Sequence, residues 1–197
     1  PTAVVIPLVT NSPASIAGAD GNTAALDFAP VASEVTGNVA FVGRGCPADS
    51  IAPGSPADAY QASPAGKAAL IDRGACAISL KIDRAAKAGA IGALIGLVAA
   101  GDAIGFSFGG GDTFVPSLVI TQARSNAIKA NIDAPVNVSI SPAFAVPLVS
   151  SVVSSSARGP SYSDNAIKPD IGAPGASVSA IARTGTAQEA FSGTSGA

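Results

Sequence analysis

The sequence contains no histidine, no methionine and no tryptophan, and charged residues fill only 12% of its 197 positions. Without histidine, the chain lacks the usual general base near neutral pH and the usual imidazole ligand for transition metals. Its two cysteines are too far apart for a zinc finger. The run GGGD at 109–112 has no further spaced oxygen ligands for calcium. No metal and no cofactor are therefore expected. Aromatics are scarce, at 5%, so the core must be built from Val, Ile, Leu and Ala.

Charge of one sign is also missing. The formal net charge is −2, too small to steer strongly charged partners. No cluster of Lys and Arg is interleaved with aromatics, which excludes nucleic acid as an expected partner. The longest uncharged stretch, Ala88–Gly101, is short and broken by glycines; it reads as a buried core segment, and no membrane span is expected. The opening PTAVVIPLVT lacks the basic start of a signal peptide and is too short for one. A leader has been removed, or the chain is an internal fragment.

What remains is apolar material at 48%, much of it alanine, with 22 glycines. Close, backbone-rich packing follows. An even cysteine count, low charge and abundant Ser, Thr and Gly suit an exported, extracellular protein, in which Cys46 and Cys76 pair as a disulfide. Such a bridge is worth roughly 3–4 kcal/mol through the unfolded state. Two buried free thiols are the alternative.

Residues 1–10 read as a strand, and NSPASIAGADGN (11–22) as turns. GNVAFVGRG (37–45) alternates as a strand, and the proline-rich 46–65 reads as a long surface loop. KAALIDRG (67–74) is a strand. From Ala77 to Ala88 the period changes, with Ile78, Ile82, Ala85 and Ala86 on one helical face and Lys81, Asp83, Arg84 and Lys87 on the other. Gly89 stops that helix, and AIGALIGLV (90–98) follows as a buried strand parallel to the one before it. GDAIGFSFGGGDTF (101–114) is a glycine-rich loop, followed by a strand at 115–120. Thr121 caps a second helix with Ala123, Ala127, Ile128 and Ile132 inward, and VNVSI (136–140) is a strand. Composition shifts near 145. Asp72 and Arg73, at a strand end, read as a local ion pair fixing a turn.

Two resemblances then become visible. GKAALIDRGACAISLKIDRAAKAGAIGALIG (66–96) resembles the protease-associated (PA) domain, matching at Gly66, Lys67, Asp72, Arg73, Gly74, Cys76, Lys81, Ala88, Gly89 and Ala90. Ile78 stands where an aromatic is frequent, and Arg84 where an asparagine is usual. The likeness implies an α+β fold of the PA β/β/α type over 9–142, after a preceding segment at 1–8. It also implies a module that meets other polypeptides and carries no chemistry of its own. Downstream, SSSARGPS (154–161), KPDIGAPG (168–175) and FSGTSGA (191–197) resemble, in order and spacing, the nucleophile-bearing part of subtilisin-like serine proteases. By that likeness 143–197 is a partial catalytic segment and Ser195 is the nucleophile. Gly196 replaces the usual methionine, and Asp170 is structural.

A serine hydroxyl needs a base, and this chain offers no histidine. Lys168 is near Ser195 only in sequence. The triad His and Asp, the oxyanion asparagine and the helix after the serine all belong to the remainder of a parent protease. The isolated chain is therefore expected to be inert. The expected partners are polypeptide substrates or other proteins, with Phe106 and Phe108 as candidate contacts on the glycine-rich loop, or else inward anchors for it. The alternatives are a non-catalytic PA binding module with a vestigial tail, and a spacer or dimerisation domain.

Overall fold

A computed structural model describes residues 4–148 and the backbone of two strands further on, 176–180 and 188–192. The chain divides into two units, Pro1–Val149 and Ser150–Ala197.

In the first unit the strands are β1 (Val4–Val5), β2 (Leu8–Ser12), β3 (Gly18–Asp20), β4 (Thr23–Ala25) and β5 (Val35–Gly43). They are followed by β6 (Ala68–Asp72), α1 (Ile78–Lys87), β7 (Gly92–Gly96), β8 (Ser117–Ile120), α2 (Gln122–Ala130), β9 (Asn137–Ile140) and β10 (Val146–Pro147). Eight strands form one mixed sheet in the order β3-β2-β9-β5-β6-β7-β8-β4. Its centre, β5 to β8, is parallel; β9, β2, β3 and β4 join antiparallel. The architecture is α+β.

β5 links the two halves of the sheet. Its first residues, Val35–Asn38, pair with β9, and Val39–Gly43 pair with β6. β1 and β10 form a separate ribbon, Val4 opposite Pro147, so the two ends of the unit run side by side. In the second unit β11 (Ala176–Ala180) pairs antiparallel with β12 (Gln188–Ser192).

The central strands are buried on both faces, as parallel strands are, and alternation divides their side chains between two cores. Ala69, Ile71, Ala93, Ile95 and Val119 pack with Ile78, Ile82 and Ala85 of α1. Ala68, Leu70, Leu94, Leu118 and Ile120 pack with Ile128 of α2 and with Leu8, Val138 and Ile140 of the antiparallel wing. α1 ends in a Schellman arrangement: the Gly89 N–H donates to Ala86 O at 2.9 Å and the Ala90 N–H to Ala85 O at 3.0 Å. Gly89 takes the left-handed φ of 86° that this cap demands. Thr121 Oγ1 caps α2 by accepting from the Arg124 N–H at 3.2 Å.

Four expectations need correction. Residues 11–22 do not form turns throughout; they include β3, a strand too short to show a period. The expected strand over 1–10 is split between β1 and β2. In α2 Ala123 is exposed, and Ser125 and Ile128 are the buried positions. In α1 Lys81 and Asp83 are buried: Lys81 stands three residues after Ile78 and four before Ala85, on the flank of the core stripe, and the glycine-rich loop covers Asp83.

Ser125 is buried for a reason of shape. A Cβ on Gly96 would come within 2.3 Å of Ser125 Oγ and 2.8 Å of its Cβ, so α2 rests directly on the β7 backbone. Gly96→Ala should cost about 2 kcal/mol by overpacking. Adding Ser125→Gly should recover part of that loss, because Ser125 Oγ has no hydrogen-bond partner among the described residues. Urea unfolding of the single and double variants measures the coupling. Simple additivity would remove the steric explanation.

Candidate functional site

The carboxyl ends of parallel strands form a natural crevice in α/β sheets. Here β5 runs on into Arg44-Gly45-Cys46, and β6 into Asp72-Arg73-Gly74-Ala75-Cys76. A disulfide joins Cys46 to Cys76 with Cα atoms 6.0 Å apart. Beneath it lies Lys81, a fully buried side chain. Its Nζ donates to Arg44 O at 2.6 Å and to Asp72 O at 3.1 Å, and it lies 3.4 Å from Cys46 Sγ. Burial pushes the Lys81 amine down to about 8, with Asp58 nearby opposing the shift. One side chain from α1 thus ties together the ends of two strands and the bridge.

The surroundings of Cys46 are also cross-linked. Asp58 Oδ1 pairs with Arg44 at 2.8 Å and Asp58 Oδ2 accepts from the Cys46 N–H at 3.1 Å. Burial raises the Asp58 carboxyl, but the Cys46 amide and Arg44 outweigh it and hold the group below its usual range. Arg84 donates to Cys46 O at 2.9 Å and lies 4.2 Å over the Tyr60 ring. The 46–65 segment, without helix or strand, is held by these polar contacts.

Asp72 and Arg73 do not pair with each other, contrary to the sequence reading. Asp72 forms its ion pair with Lys129 of α2, and Arg73 sits 5.1 Å from the centre of the Phe106 ring. A shallow cleft of about 250 Å³ opens beside this pair, lined by Arg73, Gly74, Cys76, Ile78, Phe106 and Ser107.

The glycine-rich loop is pinned to α1. The Gly109 N–H donates to Ser79 Oγ, and the Asp112 and Thr113 N–H groups donate to Asp83 Oδ1, each at 2.9 Å. Lys87 bridges Asp83 at 2.9 Å and Asp112 at 2.8 Å. Gly111 has a φ of 98°, and a Cβ there would meet the Asp83 Cβ at 2.8 Å; the loop lies too close to the helix for any side chain.

Lys87 and the Thr113 hydroxyl hold the Asp112 carboxyl down at about 2. Because the folded pKa lies below the unfolded one, this pinning is complete above about pH 4 and is lost as pH falls through 2. A carboxyl-carbon NMR titration should place Asp112 near 2, and Lys87→Met should return it to near 4. An unchanged midpoint in the variant would mean that Lys87 does not hold the loop.

The two candidate phenylalanines behave differently. Phe106 is half-buried against the α1-side core. Phe108 is 59% exposed and stands edge-on to Phe28 and Phe114, with ring centres 6.0 and 6.2 Å away. Ile104 and Val98 are exposed in the same connection between β7 and β8. Sequence reading missed Lys81 as the central tether, because its partners are backbone carbonyls. Ser195, Asp170 and Lys168 lie outside the described residues. Among the described residues no group of three or more His, Cys, Asp or Glu side chains could hold a metal ion, and no helix is long and apolar enough to cross a membrane.

Residues 46–128 match the family model of the PA domain. The chain therefore contains a PA domain, and the disulfide, the Lys81 tether and the cleft all fall within it. No curated protein sequence matches the chain. Among solved structures it is similar to an aminopeptidase from Aneurinibacillus sp. strain AM-1, with 26% identity and a TM-score of 0.54, over 72% of this chain and 31% of that one. It is also similar in fold to BSAP, a zinc aminopeptidase from Bacillus subtilis, with 19% identity and a TM-score of 0.50, over 72% of this chain and 30% of that one. The chain spans less than a third of the length of either.

Proposed function

We propose that this chain is part of a secreted subtilisin-like serine endopeptidase, whose PA domain borders the substrate cleft and governs which polypeptides enter it. In that enzyme Ser195 attacks the peptide carbonyl to form an acyl-enzyme, with its proton taken by a histidine outside this sequence. The observation that carries the reading is one chain holding both a PA domain and, after it, SSSARGPS, KPDIGAPG and FSGTSGA in order. The pairing of β1 with β10 supports it, because a domain inserted in a host needs its two ends together. The disulfide supports an oxidising, extracellular setting. Phe108, large and exposed, is the first candidate for contact with an incoming polypeptide.

The aminopeptidase similarity favours a second reading, in which the PA domain belongs to a metallopeptidase that trims single residues. A third is a PA module that binds proteins without hydrolysis. Treating the natural protein with a fluorophosphonate separates the three. Covalent labelling of Ser195 with loss of peptidase activity is the expected result. Activity abolished by a chelator, with Ser195 unlabelled, would move the protein to the second reading, and no activity at all to the third. Phe108→Ala should slow cleavage of folded protein substrates but not of short peptides.

A further inference from the structure

The Cys46–Cys76 bridge has two unlike ends. Cys46 is completely buried, with the Lys81 ammonium 3.4 Å from its sulfur. Cys76 is half-buried and lines the cleft beside Arg73, Phe106 and Ser107. The backbone leading to Cys76 is under strain. Ala75 has a φ of 68°, and the Cys76 N–H donates back to Gly74 O at 3.0 Å. A two-residue hydrogen bond around a positive φ is the rare, strained form of the γ-turn, and alanine has no natural place there.

We propose that Cys76 is a site of thiol–disulfide exchange, at which a small anionic thiol entering the cleft forms a mixed disulfide and expels Cys46 as a thiolate held by Lys81. The incoming thiolate attacks Cys76 Sγ, a bond forms between the two sulfurs, and the Cys46–Cys76 bond breaks. Its electron pair leaves on Cys46 Sγ. A second thiolate then attacks the sulfur of the first, releasing the oxidised thiol dimer and leaving Cys76 reduced; the two electrons come from the two thiols.

Access fixes the direction, because only Cys76 faces the cleft. The leaving group is also the better one, since exchange is faster when the departing sulfur is stabilised as an anion. Lys81 supplies that stabilisation from 3.4 Å away, since even an amine lowered to about 8 keeps its proton near neutral pH. In the second step the thiolate leaving at Cys76 lies just before α1, whose N-terminus has no side-chain cap. Arg73 at the cleft selects an anionic thiol such as glutathione. Opening the bridge would free the Gly74–Cys76 turn and with it one wall of the cleft.

The test uses the whole chain under native conditions, with millimolar glutathione, a maleimide quench and peptide mapping. Glutathione should appear on Cys76 and maleimide on Cys46, at a rate proportional to glutathione concentration. Lys81→Met should slow the reaction about tenfold, as loss of leaving-group stabilisation requires. Arg73→Gln should slow glutathione but leave uncharged 2-mercaptoethanol unchanged, a comparison that does not depend on the Lys81 variant folding. Glutathione on Cys46, no adduct, or a rate independent of thiol concentration and therefore set by global unfolding, would each overturn the proposal.

Discussion

The double variant Cys46→Ala/Cys76→Ala should unfold with about 3–4 kcal/mol less stability than the parent, lowering the melting temperature by about 10 °C. The bridge closes a loop with a sequence separation of 30, and most of that loop, 46–65, has no regular structure of its own. Polar contacts hold it in the folded state, and in the unfolded chain the bridge is the cross-link that closes it. Against that gain stands the strained turn at Ala75. Ala75→Gly should therefore return about 1 kcal/mol in the cysteine-free protein, because glycine adopts a positive φ without penalty. Guanidinium denaturation of the three proteins measures both quantities. A loss under about 1 kcal/mol in the double variant would mean that strain at Ala75 in the bridged protein cancels most of what the bridge takes from the unfolded chain.

The sequence discloses β6, α1 and β7 because two apolar runs flank a stretch of helical period. Residues 68–71 and 92–96 are uninterrupted apolar runs, and between them Ile78, Ile82 and Ala85 recur at helical spacing. The disulfide was legible from composition, since only two cysteines exist. β3 and β4 were not legible, at three residues each: they are strands only because β2 and β8 offer them open edges. The antiparallel wing is equally hidden, because the pairing of Val138 with Thr10 depends on a return across more than a hundred residues.

The site was legible in part. Phe106 and Phe108 alternate in a loop with no period, so sequence could name both but could not separate the one under Arg73 from the one in solvent. The partner of Asp72 is Lys129, 57 residues further along, which no local reading of Asp-Arg-Gly reveals. Lys81 is the instructive case. Its charge suggests the polar side with Asp83, Arg84 and Lys87, but at helical spacing it lies three residues after Ile78 and four before Ala85, on the flank of the buried stripe. The ends of β5 and β6 meet over its amine, and its acceptors there are main-chain carbonyls, to which sequence gives no clue.

Lys81→Met should destabilise the fold by about 3 kcal/mol at pH 10, because Arg44 O and Asp72 O would then lie buried without their donor. Methionine keeps the apolar stem and so isolates the loss of the amine. The size of the effect should change with pH in a definite direction. The folded pKa of about 8 lies below the ordinary 10.5, so between these values the unfolded chain binds more protons than the folded one. Stability carried by Lys81 therefore rises as pH climbs from 8 to 10.5 and is at its lower level below 8. The gap between parent and Lys81→Met should be smaller at pH 7 than at pH 10, and taking the difference cancels every other titrating group. Urea unfolding of both proteins at the two pH values is sufficient. A gap that narrows as pH rises would show that the ammonium gains more from the two carbonyls than burial takes from it, and Lys81 would then be a charge that the fold holds in preference to the neutral amine.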